Sequence, residues 1–308
     1  MTSSEPPLLL VIAGPTASGK TRLALDLAQG LGGEIVNCDS MQMVRGLDVG
    51  TAKPNREEQD RAPHHLFDIV GPEDFYSAGR YMSEARAVCR EIATRARVPI
   101  VVGGTGLYLR ALLEGVFEGT GRVETVRGRL KRMAARWGSE KLHRQLERLD
   151  PGSAERIQPR DQVRVVRALE VYFASGRSLS SQRSLRQPLE GFRVHKLALN
   201  PPREELYARI NQRVEQMFKE GLLEEVETLL AQGVPSDCKG FEAIGYRHAI
   251  QCLQQEIKYT EALTLTARDT RRYAKKQLTW FRREPDLNWI TAFGHEKAAL
   301  EEANALLA

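Results

Sequence analysis

The sequence predicts an α/β protein in which a parallel β-sheet is flanked by helices and carries a wholly helical insertion. Three apolar runs end in small or polar residues and are typical of strands buried on both faces, at residues 8–14, 34–40 and 98–106. Helical patterns separate these runs, and a repeated strand–helix–strand order is the pattern of a parallel sheet. We expect a fourth strand at residues 195–200, where Pro201 and Pro202 follow it.

The organisation of the chain follows from where strand patterns stop. Residues 121–191 show helical spacing and no convincing strand. We therefore predict a helical insertion at 121–191, within a sheet domain made of residues 1–120 and 192–308.

The first strand leads into "GPTASGKT", which matches Gly-x4-Gly-Lys-Thr. Glycines permit a loop whose amide hydrogens point at an anion on the positive end of the next helix. The fold is therefore P-loop NTPase-like, with Lys20 expected at the terminal phosphate and Thr21 on a magnesium ion. The motif predicts a bound diphosphate or triphosphate but does not identify the group attached to it. The predicted phosphate-binding residues are Gly14, Pro15, Thr16, Ala17, Ser18, Gly19, Lys20 and Thr21.

Polar residues follow two further strands, and the carboxyl ends of parallel strands share one edge of a sheet. Asp39 there could hold magnesium through water or accept a proton, although capping the next turn would also explain a carboxylate at this position. Thr105, in "GGTGLY", could donate to a phosphate or a nucleobase, or simply end its strand. This is not a dinucleotide fingerprint, because Leu109 stands where the third glycine would be.

Positive charge is concentrated in one part of the chain. Residues 122–193 hold 17 Lys or Arg against 8 Asp or Glu, whereas the rest of the chain holds 28 against 32. A solvated helical face would explain such a run, but an excess confined to one segment and rich in arginine favours a polyanion. Residues 268–283 add seven basic residues interleaved with Tyr273, Trp280 and Phe281, which suits unstacked bases or core packing equally well.

Composition sets the broad class. The 308 residues are 42% hydrophobic and 28% charged, as in soluble globular proteins. No apolar run is long enough for a membrane span and no basic segment precedes the first one, so we expect a cytoplasmic protein. The four cysteines form no Cys-x-x-Cys pair and are expected to be buried free thiols. The adjacent His64 and His65 would point to opposite faces of a strand and share no metal.

Seven motifs in order resemble the bacterial tRNA dimethylallyltransferases: "GPTASGKT", "CDSMQMVRGLDVGTAKP", "PHHLFDIV", "VGGTGLYLRALLEG", "RALEVYFASG", "FEAIGYRH" and "KKQLTWFRRE". The resemblance covers almost the whole chain. It implies transfer of a dimethylallyl group from dimethylallyl diphosphate to the exocyclic N6 amine of the adenosine 3′ of the tRNA anticodon, with Mg²⁺ required. The loop would then hold an isoprenoid diphosphate. Family precedent favours a monomer.

The resemblance also implies roles for residues. Asp39 would act as the base and Thr105 would contact the RNA, while Lys20 and Arg213 would stabilise the diphosphate and Thr21 would ligate magnesium. The adenosine would be extruded from the anticodon loop into a channel, and the insertion would grip the anticodon stem-loop. The residues implied to contact tRNA are Asp39, Ser40, Met41, Gln42, Thr105, Arg127, Val163, Arg164, Val165, Val166, Arg167, Glu242, Ala243, Ile244, Gly245, Tyr246, Arg247, Lys275, Lys276, Gln277, Leu278, Thr279, Trp280, Phe281 and Arg282.

Three other classes of protein share the loop. A small-molecule kinase would use it for ATP, and the basic insertion would then be a lid over the phosphates. An adenylate dimethylallyltransferase would prenylate a free nucleotide and would not need a basic insertion. A GTPase-like binding protein would carry an Asn-Lys-x-Asp signature, which is absent from the sequence.

Overall fold

A computed structural model describes residues 5–116, 121–182 and 187–307. The chain forms two compact units, one made of Met1–Leu112 and Glu190–Ala308 and the other of Leu113–Leu189. The second unit therefore begins before the predicted residue 121 and ends close to the predicted residue 191. Its two ends are joined where the Leu189 N–H donates to the Leu113 carbonyl oxygen at 2.8 Å.

The first unit is built on a six-stranded sheet whose neighbouring strands are all parallel, in the order β3-β2-β4-β1-β5-β6. The α/β fold class predicted from the sequence is confirmed. The four predicted strands are present, whereas β3 and β6 were not predicted because two or three residues carry no measurable alternation. The strands are β1 Leu8–Ala13, β2 Gly33–Asn37, β3 His64–His65, β4 Val98–Gly103, β5 Arg193–Leu199 and β6 Asn288–Ile290.

Nine helices of the described chain belong to the sheet unit and five to the insertion. The sheet unit contains α1 Lys20–Leu31, α2 Arg56–Arg61, α3 Ala78–Thr94 and α4 Gly106–Glu114. The insertion contains α5 Glu124–Trp137, α6 Ser139–Leu149, α7 Pro151–Ala154, α8 Gln162–Ser175 and α9 Leu179–Gln182. The sheet unit continues with α10 Arg203–Lys219, α11 Leu222–Ala231, α12 Tyr246–Leu253, α13 Tyr259–Phe281 and α14 Lys297–Leu307.

The sheet is buried on both faces. Leu10 and Ile12 pack with α1 and α14 in one apolar cluster, while Leu9 and Val11, which alternate with them, are equally buried. A strand covered on both faces needs apolar residues at every position, which explains the unbroken run in β1. The order of the strands places the ends of β2, β4 and β1 side by side, so the loops after them are neighbours.

The insertion has its own core, and its described residues form no strand. Leu142 and Leu146 of α6 pack against Val165 and Leu169 of α8. Asp161 accepts a hydrogen bond from the Arg164 amide at 3.2 Å and so caps the start of α8.

Two further expectations concern the whole chain. All four cysteines are free; Cys38, Cys89 and Cys238 are buried as expected, whereas Cys252 is half-buried. Within residues 5–116, 121–182 and 187–307, no helix is both long and apolar enough to cross a membrane.

Candidate functional site

The loop after β1 has the backbone of a phosphate-binding loop. Gly14, Ala17 and Gly19 have φ of 141°, 64° and 91°. A Cβ on Gly14 would lie 3.0 Å from the Leu199 carbonyl oxygen, and one on Gly19 would lie 2.9 Å from the Gly294 nitrogen. Both glycines are therefore required by backbone conformation and by close packing.

The loop opens directly onto the amino end of α1. Gly19 caps this helix and has no side chain with which to accept from the first-turn amides, and no acidic residue lies in that turn. The amide hydrogens at a helix start lack intrahelical partners and carry a positive partial charge. An anion is the natural partner for this helix end.

Lys20 points back into the loop. Its Nζ donates to the Pro15 carbonyl oxygen at 2.7 Å. Burial lowers the Lys20 pKa from 10.5 to about 8, the Asp39 carboxylate opposes this shift and the Arg213 guanidinium adds to it. The charges of Lys20, Asp39 and Arg213 thus act on one another across one site.

Asp39 is held at the end of β2 by a local turn. The Asn37 Oδ1 accepts from the Asp39 N–H at 2.8 Å, and the Asp39 Oδ1 accepts from the Met41 N–H at 3.0 Å. The capping role considered from the sequence is therefore present. The second carboxylate oxygen, Oδ2, makes no hydrogen bond to any residue that the structure describes, so the same group can cap the turn and take a proton.

Thr105 joins the loops after β2 and β4. Its N–H donates to the Cys38 carbonyl oxygen at 3.2 Å and its Oγ1 accepts from the Ser40 N–H at 3.1 Å. Burial raises the pKa of the Tyr273 hydroxyl, and the Thr105 side chain acts against that shift. Thr105 is thus placed beside Asp39 by backbone contacts on both sides.

Arg213, on α10, is a half-buried cation. Burial lowers its pKa, while the Asp39 carboxylate raises it. Its guanidinium has no hydrogen bond or ion pair among the described residues, which is unusual for a partly buried charge. Such a group is suited to an anionic ligand.

The donor set fits Mg²⁺ bound mainly through a ligand. Within the described residues, no three His, Cys, Asp or Glu side chains are grouped to hold a metal. Thr21 and Asp39 are oxygen donors, and Mg²⁺ commonly takes one or two protein oxygens while phosphate oxygens and waters complete its octahedron. Thr21, at the start of α1, is the residue whose hydroxyl we would assign to such an ion.

The residues implied to contact RNA divide by exposure in the sheet unit. The exposed ones are Glu242, Arg247, Lys275, Lys276, Thr279 and Arg282, and Ile244, Leu278 and Trp280 are half-buried. Ala243, Gly245, Tyr246, Gln277 and Phe281 are buried and therefore do not face solvent. Motif resemblance marks whole segments, whereas only one face of each helix reaches the surface.

Residues 163–167 of the insertion divide in the same way. Val163 and Arg164 are exposed, whereas Val165 and Val166 are buried in the core. Arg167 and Arg127 both donate from Nη1 to the Glu170 Oε2 at 3.0 Å. Glu170 is wholly buried, so both arginines are held by an acceptor inside the insertion.

Contacts around the segment after Asp39 were not predicted. The Tyr246 hydroxyl donates to Glu225 at 2.6 Å and accepts from the Gly50 N–H at 3.1 Å. Glu225 also accepts from the Val49 N–H at 2.8 Å. The Gln42 amide donates to the Thr51 and Ala52 carbonyl oxygens at 3.1 and 3.0 Å. The only sequence signal for this network is the small residue at Gly50.

Family models and curated relatives match nearly the whole chain. The family model described as "IPP transferase" matches residues 42–284, and one described as "Isopentenyl transferase" matches residues 7–64. A "tRNA dimethylallyltransferase" of Koribacter versatilis is 45% identical, and the match covers 98% of each chain. One of Solibacter usitatus is 48% identical, with 96% of each chain covered.

Solved structures give the same result. A tRNA isopentenylpyrophosphate transferase of Bacillus halodurans is 36% identical, with a TM-score of 0.69 over 98% of this chain and 99% of that one. A eukaryotic dimethylallyltransferase acting on tRNA is 27% identical, with a TM-score of 0.82 over 97% of this chain and 78% of that one. The seven motifs, the phosphate loop and these matches over nearly the full length lead to one conclusion: this chain belongs to the IPP transferase family.

Proposed function

We propose that this chain transfers the dimethylallyl group of dimethylallyl diphosphate to the N6 amine of the adenosine 3′ of the anticodon in tRNA. The observation that supports the proposal is that Asp39 interacts electrostatically with two half-buried cations, Lys20 of the phosphate loop and Arg213 of α10. This transfer needs a site that binds the diphosphate leaving group and a group that accepts the proton. The relatives named as tRNA dimethylallyltransferases support the same activity.

The reaction forms one bond and breaks another. The adenine nitrogen attacks the allylic carbon, the bond from that carbon to the diphosphate oxygen breaks, and the amine loses a proton. The exocyclic nitrogen is a weak nucleophile because its lone pair is delocalised into the ring, so removal of the proton as the bond forms lowers the barrier. We assign the proton to Asp39 Oδ2, because its Oδ1 is engaged by the Met41 N–H.

The phosphate loop would stabilise the departing diphosphate. Negative charge accumulates on the leaving oxygen, and donors that are already in place stabilise such charge without reorganising. The Lys20 ammonium would leave the Pro15 carbonyl oxygen for the diphosphate, and the first-turn amides of α1 would donate to it. Arg213 would supply a second full positive charge. A magnesium ion at Thr21 would neutralise part of the diphosphate charge.

The basic residues would bind the RNA backbone. Arg127 and Arg167 are fixed by Glu170, and Arg164 is exposed at the start of α8. Lys275 and Lys276 are exposed on α13, and Arg282 is exposed directly after it. Arginine and lysine spaced along helices serve phosphates more than base edges, so these contacts would position the RNA while the site reads the adenosine.

The test compares three reactions in parallel. The enzyme, magnesium and radiolabelled dimethylallyl diphosphate are incubated with unmodified tRNA or with AMP, and a third reaction supplies labelled ATP. The proposal expects label in tRNA and little in AMP. Label in AMP at an equal rate would identify an adenylate dimethylallyltransferase, and phosphate transfer from ATP would identify a kinase.

A further inference from the structure

We propose that Gln277 is a positioning residue that fixes the phosphate loop relative to the loop carrying Thr105. The resemblance placed this residue in an RNA-contacting segment, but the side chain is 5% exposed and both ends of its amide are engaged inside the sheet unit. Its Oε1 accepts from the Thr16 N–H at 2.8 Å, and its Nε2 donates to the Gly104 carbonyl oxygen at 3.0 Å. The role in catalysis that we infer for Gln277 rests on the proposed function, whereas the binding experiment that tests it does not.

The two partners determine the orientation of the amide. Thr16 offers only a backbone donor to the amide, and Gly104 offers only a backbone acceptor. A flipped amide would therefore place donor against donor at Thr16 and acceptor against acceptor at Gly104. Thr16 lies in the phosphate loop, and Gly104 precedes Thr105. One side chain therefore connects the loop that would bind the diphosphate to the loop that would face the adenosine.

Gln277 also takes the Thr16 amide out of the set available to a ligand. Turning this donor toward a phosphate would leave the buried Gln277 Oε1 without the 2.8 Å hydrogen bond from Thr16, which is unfavourable. The diphosphate would then be cradled by the later part of the loop and the start of α1, where Gly19 leaves the first-turn amides without a side-chain acceptor. Gln277 thereby sets where along the loop the anion sits.

The packing around Gln277 is close on the side of the β4 loop. A Cβ on Gly104 would lie 2.0 Å from the Gln277 Nε2, and one on Gly106 would lie 2.2 Å from the Trp280 ring. Burial raises the pKa of Tyr273, one turn before Gln277, and the side chains of Thr105 and Gln277 oppose that shift. Residues 273, 277 and 280 share one face of α13 at helical spacing, and this face packs on residues 104–106.

The test is a double-mutant cycle between Gly104 and Gln277, read by binding. Magnesium diphosphate is titrated into the enzyme by calorimetry, and an anticodon stem-loop RNA is titrated in a separate experiment. Gln277→Ala removes both hydrogen bonds, whereas Gly104→Ala pushes the amide away from Thr16. Because only the Gln277 side chain lies closer than 3.4 Å to the added Cβ, the double variant relieves the clash.

We expect Gln277→Ala to weaken diphosphate binding about tenfold, because the phosphate loop loses the contact that holds it in place before the ligand binds, and to change RNA affinity less than about twofold. Gly104→Ala should weaken diphosphate binding similarly, and the double variant should match Gln277→Ala alone. Thr266→Val on the same helix is the control, since it removes the buried hydrogen bond to His248 at 3.0 Å and should leave diphosphate binding unchanged.

Three results would overturn the inference. They are diphosphate affinity within about twofold of wild type in Gln277→Ala, an equal loss of RNA affinity, or losses from Gly104→Ala and Gln277→Ala that multiply in the double variant. Inorganic diphosphate binding does not require prenyl transfer, so failure of the proposed function in the acceptor assay is distinguishable from failure of this inference.

Discussion

The Lys20 ammonium donates a 2.7 Å hydrogen bond to the carbonyl oxygen of Pro15, five residues earlier in the same loop. Burial holds its pKa near 8 in the free protein, well below the ordinary value of 10.5. The lysine therefore carries its charge below about pH 8 and loses it as the pH rises above that value. An anionic ligand favours the charged form, so binding is strongest on the acid side of this pKa.

The Lys20 pKa predicts that activity falls at alkaline pH. We expect kcat/KM for dimethylallyl diphosphate to fall above about pH 8, because that parameter reports ionisation in the free enzyme. Arg213→Gln should move the break to higher pH, since the Arg213 charge lowers the Lys20 pKa. Lys20→Arg should abolish the break. A profile that is flat to pH 10, or a break that moves to lower pH in Arg213→Gln, would contradict this assignment.

Asp39→Asn separates catalysis from structure. The asparagine Oδ1 can still accept from the Met41 N–H, so the turn should persist while the proton acceptor is lost. We expect kcat to fall on the order of 10²–10⁴-fold, the usual contribution of a general base, with RNA affinity nearly unchanged. Single-turnover transfer and gel-shift binding measure the two effects.

Asp74→Asn is the matched control for Asp39. Asp74 is an exposed carboxylate of the sheet unit that accepts from the Gly71 N–H at 2.6 Å and so also closes a local turn. Its variant should keep full activity. Comparable losses in both variants would mean that Asp39 acts only through its turn.

Glu170→Gln tests how the insertion holds its arginines. Loss of the buried charge removes the common anchor of Arg127 and Arg167, so we expect KM for tRNA to rise about tenfold while kcat at saturating tRNA changes little. The expected signature is a change in RNA binding at a temperature where the protein stays folded. An unchanged KM for tRNA would show that Glu170 does not position arginines that bind RNA.

Glu34→Gln is the control for this variant. Glu34 is a buried carboxylate of β2 that pairs with Arg95 at 2.8 Å and His65 at 2.7 Å. Its loss should lower the thermal unfolding midpoint in the same manner as the loss of Glu170. KM for tRNA should stay at the wild-type value, which separates a general loss of stability from a specific loss of RNA binding.

Gly50→Ala tests the network that holds the segment after Asp39. Its Cβ would lie 2.4 Å from the buried ring of Tyr246, so the ring must move and its bond to Glu225 is strained. We expect the free energy of unfolding in urea to fall by about 1–3 kcal/mol, as for overpacked cores. Gly30→Ala is the control, since nothing lies within 4 Å of its added Cβ and it should be neutral or slightly stabilising. A smaller loss at Gly50 than at Gly30 would show that the network does not constrain this position.

The sequence predicts the sheet and the phosphate loop because both depend on local signals. Apolar runs identify β1, β2 and β4, and the glycine spacing of residues 14–19 identifies the loop. Helical spacing without a strand pattern likewise identifies the insertion. Strands as short as β3 and β6 lack that signal, since tertiary pairing alone defines them.

The contacts that complete the site lie far apart in sequence. Gln277 is 261 residues from Thr16, and Tyr246 is 196 residues from Gly50. Neither contact produces a periodic pattern in the sequence, because the identity of one polar residue on a helix does not show which distant residue it contacts. The resemblance identified the segment around Gln277, but only the fold shows that its amide faces inward.

The measurement that tests the central claim most directly is mapping of the modified nucleoside. An anticodon stem-loop RNA is prenylated with labelled dimethylallyl diphosphate, digested to nucleosides and compared with the same RNA carrying guanosine in place of the adenosine 3′ of the anticodon. We predict one labelled product, an adenosine with the dimethylallyl group on N6, and no label in the substituted RNA. Label retained after the substitution, or found on any other atom, would contradict the claim that the site delivers the diphosphate-bound group to this amine.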